Sequence, residues 1–182
     1  NNGRQWSMSK YLNMVSLRNS LLESVRKVEP EYYFSLDSDI LLTNINTIEL
    51  LIAHIKSGAD AVSPLMFMTP FGTMYPSVMD WRLDVPVKAF RKEKYELGHY
   101  FQSDVIMAAK MMSKDVYNNI NYTLHEQGED VGWSLECKKA GFKLYSASYI
   151  YAPHIMSEVM YESFLANGDN RQELLMSSYA KV

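Results

Sequence analysis

From Ser9 onward, Tyr11, Met14, Val15, Leu17, Leu21, Leu22 and Val25 recur at three- and four-residue steps, which predicts an amphipathic helix that Pro30 brings to an end. The run Tyr32–Leu36 is short, aromatic and free of charge, as in a buried strand, and Asp37 and Asp39 stand where it stops. Thr47 can cap a helix over residues 48–56 that turns Ile48, Leu51, Ile52 and Ile55 inward, with Gly58 suited to its stop. Ala61, Val62 and Ser63 follow as a short strand closed by Pro64.

Strand, helix and strand in this order predict an α/β layer with a partly parallel sheet, whose ligands gather at the C-terminal ends of the strands. Asp37 and Asp39 are placed there. Residues 66–100 break the rhythm: Met, Pro, Phe, Tyr and Trp81 mix with Lys88, Arg91, Lys92 and Lys94 at no fixed period, which reads as a long functional loop with local structure. Strand character returns over 104–112, Ser113 caps a short helix through Asn119, and Gly128 leads into a helix over 131–140 that stops at Gly141. A Tyr- and Ser-rich strand over 142–152 comes next. The tail, 157–182, is read as helical with an interruption at 167–170.

Composition narrows the function classes. The chain has 182 residues, 47% of them hydrophobic and 21% charged, which suits one folded domain spanning 1–182 and excludes a disordered or repetitive segment as its main content. A net charge of −3 supplies no footprint for nucleic acid and no polybasic membrane address. The expected partner is therefore small. One cysteine, Cys137, cannot close an internal disulfide and is expected as a buried, inert thiol; no Cys/His cluster has zinc spacing. No apolar stretch approaches the roughly 20 residues of a membrane span. The start, Asn1 to Gln5, has neither an initiator Met nor a signal-peptide core, so the chain is expected to begin inside a longer product. With no signal peptide or disulfide, the expectation leans to the cytoplasm without fixing the compartment.

In extended backbone, side chains at i and i+2 point the same way, so Asp37 and Asp39 would present two hard oxygen donors together, suited to Mg²⁺ or Mn²⁺ with phosphate completing the shell. Asp-x-Asp alone is a weak pattern, and two solvated acids in a turn are the alternative. Glu129 and Asp130 precede a helix: either can serve as its N-cap, or Asp130 can act as general base with Glu129 opposing a full loss of basicity. His154, after Pro153 at a strand end, is a candidate third metal ligand or a buried hydrogen-bonded histidine. His54, His99 and His125 are read as structural or surface residues. Trp81, Tyr75, Phe71 and Tyr100 could floor a sugar site or belong to the core.

Taken in order, Arg18-Asn19 in a helix, Tyr33-Phe34-Ser35-Leu36-Asp37-Ser38-Asp39, Gly128-Glu129-Asp130 and His154 resemble the GT-A glycosyltransferases, in their family-2-like form. The resemblance implies a three-layer fold with a mixed, mainly parallel sheet flanked by helices. It implies Asp39 as direct metal ligand, Asp37 as nucleotide or metal contact, Asp130 as catalytic base beside Glu129, His154 as C-terminal metal ligand, and Arg18 and Asn19 near the nucleotide. Mn²⁺ or Mg²⁺ and a nucleotide-diphospho-sugar donor follow, with a carbohydrate or other hydroxyl acceptor and an inverting displacement as the expected chemistry. A retaining, mannosyltransferase-like enzyme and a non-catalytic remnant that binds carbohydrate or a protein partner are the competing readings. Such enzymes open with about two βα units ahead of this motif order, so the chain is expected to be N-terminally truncated. Residues 66–100 fall where acceptor-binding elements occur, and Gly98-His99-Tyr100 where the donor sugar would be bordered.

Overall fold

The structure is a computed structural model that describes residues 7–66, 77–82, 88–91, 98–155 and 157–167. Helix α1 (Met8–Val28) begins where the Ser7 hydroxyl accepts from the Lys10 N–H, and it ends at Glu29 in a left-handed conformation just before Pro30. Strand β1 (Tyr32–Leu36) follows, then α2 (Thr47–Lys56) and β2 (Ala61–Leu65). Next come β3 (Val78–Arg82), β4 (Lys88–Arg91), β5 (Tyr100–Gln102), β6 (Val105–Ile106) and β7 (Ala109–Ser113). The chain continues through α3 (Lys114–Asn119), α4 (Glu129–Lys139), β8 (Leu144–Tyr151) and α5 (Glu158–Asn167).

The main sheet has the order β1-β7-β2-β8-β5. β7 is antiparallel to both β1 and β2, β8 is parallel to β2, and β5 is antiparallel to β8. It follows that β1, β2 and β8 run one way and β7 and β5 the other. This is the expected mixed sheet with most strands sharing a direction, although β2–β8 is its one parallel ladder. The alternation of side chains sorts two cores onto its faces. On one side Tyr33, Ala61, Met112 and Leu144 pack with Leu22 of α1, Val116 and Tyr117 of α3, and Trp133 and Cys137 of α4. On the other, Phe34, Val62, Met111, Ala147 and Ile150 pack with Leu51 of α2. Helices on both faces make the three layers. Each fully buried large apolar side chain stabilises this arrangement by about 1.5–3 kcal/mol relative to exposure.

Several sequence expectations are redrawn by pairing partners. Pro64 does not close β2, because β7 runs beside only Ala61 and Val62; past them one side of the strand is open, where a missing N–H costs nothing, and the register shifts between Pro64 and Leu65. The strand expected over 104–112 is split into β6 and β7, with Ala108 between them at φ 50°. The irregular stretch 66–100 contains a hairpin, β3–β4, which joins β6 in a second sheet of order β4-β3-β6 that packs on α4 through Met79, Val105 and Val131. Phe71 and Tyr75 lie outside the described residues, as does the tail beyond Asn167. Helix α1 turns most of the expected stripe inward, with Val15, Leu22 and Val25 in the core, but Leu17 and Leu21 are exposed and Arg18 is buried beside Leu22. Among the described residues no helix is long and apolar enough to cross a membrane.

Candidate functional site

Because β1, β2 and β8 share a direction, their C-terminal ends form one rim of the sheet, and the chain after β1 meets the chain after β8 there. Ile40 and His154 form an isolated antiparallel bridge. The Leu41 N–H donates to Pro153 O at 2.9 Å, and the Ile155 N–H to Asp39 O at 2.7 Å. These backbone bonds bring Asp39 Oδ1 within 3.4 Å of His154 Nε2, with both side chains largely shielded from water. His154 Nδ1 is buried with no hydrogen-bond partner among the described residues.

Asp37 goes elsewhere. The strand stops at Leu36 and a turn begins at Ser38, so the extended alternation that would align the two aspartates is lost. Asp37 instead accepts from Arg18 Nη2 at 2.5 Å. Among the described residues no three His, Cys, Asp or Glu side chains gather as a group able to hold a metal ion, so Asp37, Asp39 and His154 do not form a three-donor set.

Arg18 joins the strand ends to α4. From inside α1 it donates to Ser35 Oγ at 3.2 Å and pairs with Asp37, and it lies 3.8 Å from Glu129 Oε1. Burial alone would lower its pKa; Asp130, Tyr122 and Asp37 outweigh that and raise it, so the charge is permanent. Asn19, the next residue, closes a different contact: its amide donates to Tyr122 O at 3.0 Å and accepts from the Tyr122 N–H at 2.8 Å. Both ends of the amide are thus taken up by backbone. Asn19→Ala is expected to cost about 2 kcal/mol, from two hydrogen bonds and the backbone groups they leave unpaired, read as a lowered denaturant midpoint.

Helix α4 starts at Glu129, two residues before the sequence expectation, because Gly128 is its N-cap at φ 115°, a conformation that glycine adopts without strain. A Cβ there would also press on the Tyr11 ring at 3.3 Å. Glu129 and Asp130 therefore sit in the first turn, at the positive end of the helix. Asp130 pairs through Oδ1 with Lys110 and accepts the Ala108 N–H on Oδ2 at 2.9 Å. Burial would raise its carboxyl, but Lys110, Arg18 and the Ala108 N–H hold it below the usual range. Glu129 shifts the other way, raised by burial and by Asp130. Of the two acids, it is Glu129 whose carboxyl is raised and Asp130 whose carboxyl is lowered.

Lys110 was not singled out from the sequence. It is fully buried, faces Ser35 across the β1–β7 ladder, and lies 4.9 Å from the Trp133 ring centre and 5.4 Å from that of Tyr122. Tyr122 stacks on Trp133, and burial, ahead of its charged neighbours, pushes its hydroxyl up to about 12, so it is neutral here. The signal that could have found Lys110 is a lysine inside the apolar run from Val105 to Met112, which calls for a buried anion. Of the remaining candidates, Cys137 is in the core with its thiol raised by burial. The Tyr100 ring stacks with His54 and Tyr145, at 4.0 and 4.4 Å, in the core on the α2 side.

No family model matches the chain. Over 63 residues, 35% of its length, it is 41% identical to procollagen galactosyltransferase 1-B of Xenopus laevis, and equally to procollagen galactosyltransferase 1-A of the same organism. The chain spans only about 10% of the length of these curated relatives. Among solved structures it is similar to a UTP-bound UGPase from Acinetobacter baumannii, with a TM-score of 0.53 at 10% identity. That likeness covers 89% of this chain and 62% of the other, and it shows the α/β fold.

Proposed function

We propose that the chain is part of a glycosyltransferase that moves a sugar from a nucleotide-diphosphate donor to a hydroxyl acceptor. The observation that carries this reading is the seating of Asp39 against His154 where β1 and β8 end. The partial identity to galactosyltransferases supports it and makes galactose the first sugar to test.

A divalent ion suits the pair. Adjacent ligands of an octahedral ion with roughly 2.1 Å bonds lie about 3 Å apart, close to the 3.4 Å between Asp39 Oδ1 and His154 Nε2. Such ions are held by one or two side chains, with phosphate oxygens and water filling the other positions. In this reading Asp39 and His154 hold Mn²⁺ or Mg²⁺, which when bound stabilises charge developing on the diphosphate. Asp37, fixed by its ion pair with Arg18, lines the nucleotide side. Glu129 and Asp130 supply the carboxylate that accepts the hydroxyl proton. In this reading a base opposite the leaving group would give a single displacement with inversion.

The test uses the full-length protein. Calorimetry with Mn²⁺ and nucleoside diphosphates reads binding, and hydrolysis of UDP-galactose, UDP-glucose, UDP-N-acetylglucosamine and GDP-mannose reads turnover. Asp39→Ala and His154→Ala are each expected to lower turnover by at least about 100-fold with an unchanged thermal melt. Wild-type protein that binds no nucleoside diphosphate at millimolar Mn²⁺ would identify a non-catalytic remnant instead.

A further inference from the structure

We infer that Glu129, rather than Asp130, takes the proton of the acceptor hydroxyl, and that Asp130 is a positioning residue tied down by Lys110. This rests on the transferase reading above. Glu129 and Asp130 are both 7% exposed, so access does not separate them. The occupancy of their oxygens does. Lys110 holds Asp130 Oδ1 and the Ala108 N–H holds Oδ2. Moving a proton onto either oxygen would break a charge-assisted bond in a buried site. Glu129 is held less firmly, by its own backbone N–H and by one ion pair among the described residues, to Arg18 Nη2 at 3.8 Å, which is longer than a hydrogen bond.

The groups that face Glu129 are Tyr11 and Arg18 from α1, Asp130 from its own helix and Lys110 from β7. Burial and Asp130 raise its carboxyl above the usual range, against the pull of its own backbone N–H, Arg18 and Lys110. A raised carboxylate is the stronger base nearer neutral pH, whereas Asp130 is held in the opposite direction. Lys110 thus divides the labour: it fixes Asp130 as an anion, and that anion sustains the basicity of its neighbour. In the transfer step the acceptor oxygen bonds to the anomeric carbon while the bond from that carbon to the diphosphate oxygen breaks. The electron pair leaves with the diphosphate, and the hydroxyl proton passes to a Glu129 oxygen.

The experiment measures pH profiles of hydrolysis, with water as acceptor, for whichever of the four donors turns over fastest with Mn²⁺. Glu129→Gln is expected to lower kcat by at least about 10²-fold, and Asp130→Asn by only about tenfold. In Asp130→Asn the acidic limb should move to lower pH, because the negative charge beside Glu129 is gone. Since that variant strands a buried lysine, Lys110→Met/Asp130→Asn is run beside it. The same direction of shift is expected there, as Asp130 is the larger of the two influences on Glu129. Infrared titration gives a readout independent of turnover: a carboxyl band that protonates above the ordinary glutamate range should be present in wild type and missing in Glu129→Gln. Background rates in both Asp130 variants together with an active Glu129→Gln, or a band indifferent to Glu129→Gln, overturn this assignment and leave the transferase reading standing. Wild-type protein that neither binds a nucleoside diphosphate nor turns over any donor overturns both.

Discussion

Lys110→Met is expected to destabilise the fold by about 3–5 kcal/mol, and Lys110→Met/Asp130→Asn to recover most of that loss. Methionine matches the length of the lysine stem against Trp133 and Tyr122, so packing is nearly conserved and the charge is what changes. In the single variant Asp130 keeps a negative charge in a site with 7% exposure after losing its ion-pair partner. In the double variant the asparagine oxygen can still accept the Ala108 N–H, and no unpaired buried charge is left. The deficit should also depend on pH. In wild type the Asp130 contribution is present above its unfolded pKa and is lost only as pH falls through the lowered folded value. Without Lys110, burial, the largest influence, is opposed only by Arg18 and the Ala108 N–H, and the folded carboxyl is expected to rise above its unfolded value. Stability of the variant then falls as pH rises through that raised value. Urea unfolding should accordingly show a larger gap from wild type at pH 8 than at pH 5. A double variant as unstable as the single would mean that the lysine acts through packing and not through Asp130.

Signals confined to a few neighbouring residues were readable in the sequence. β1 was bounded correctly because a short apolar run is cut by charge at Asp37, and α3 because Ser113 both ends a strand and caps a helix. Where an element depends on a distant partner, the sequence reading went astray. Pro64 stops a strand only if both sides are paired, which cannot be known without knowing how far β7 extends. The hairpin β3–β4 has no alternating pattern because its sheet packs through a few residues against α4, not as a full layer of the main core. Gly128 hid the true start of α4, since a capping glycine leaves no side-chain signal and the acids after it looked like the cap.

The site divides in the same way. The positions of Asp39 and His154 at strand ends are legible, and the bridge beside them brings the two side chains together. The partner of Asp37 is not legible, because Arg18 is buried beside Leu22 on a helix face whose pattern is apolar. A guanidinium is accepted there only because Ser35, Asp37 and Glu129 surround it, a condition spread over three segments. Lys110 is the extreme case: among the described residues the carboxylate it pairs with is that of Asp130, twenty positions on and from another element.

Gly132→Ala is expected to cost at least about 3 kcal/mol, beyond the middle of the range for overpacking, because the obstacle is backbone. A Cβ on Gly132 would lie 2.1 Å from Thr123 O, 2.9 Å from Thr123 C and 3.0 Å from Thr123 Oγ1. Either α4 or the loop must retreat. The loop is held by Asn19 on both backbone groups of Tyr122 and by Arg26 on the carbonyls of Tyr117 and Ile120, so relief falls on the helix. Moving α4 displaces Glu129 and Asp130 from Arg18 and Lys110, so lost stability and a disturbed site should arrive together. For a domain of this size each kcal/mol corresponds to roughly 2–4 °C, which puts the fall in Tm at about 6 °C or more. Ser134→Ala, two residues along the same helix, is the contrast. Its hydroxyl is buried with no hydrogen-bond partner among the described residues, so removing it should be neutral or stabilising by up to about 1 kcal/mol. In thermal melts Gly132→Ala should therefore fall well below wild type while Ser134→Ala matches or exceeds it, and a Gly132→Ala protein that melts with the wild type would show that α4 and the Thr123 backbone are not in direct contact.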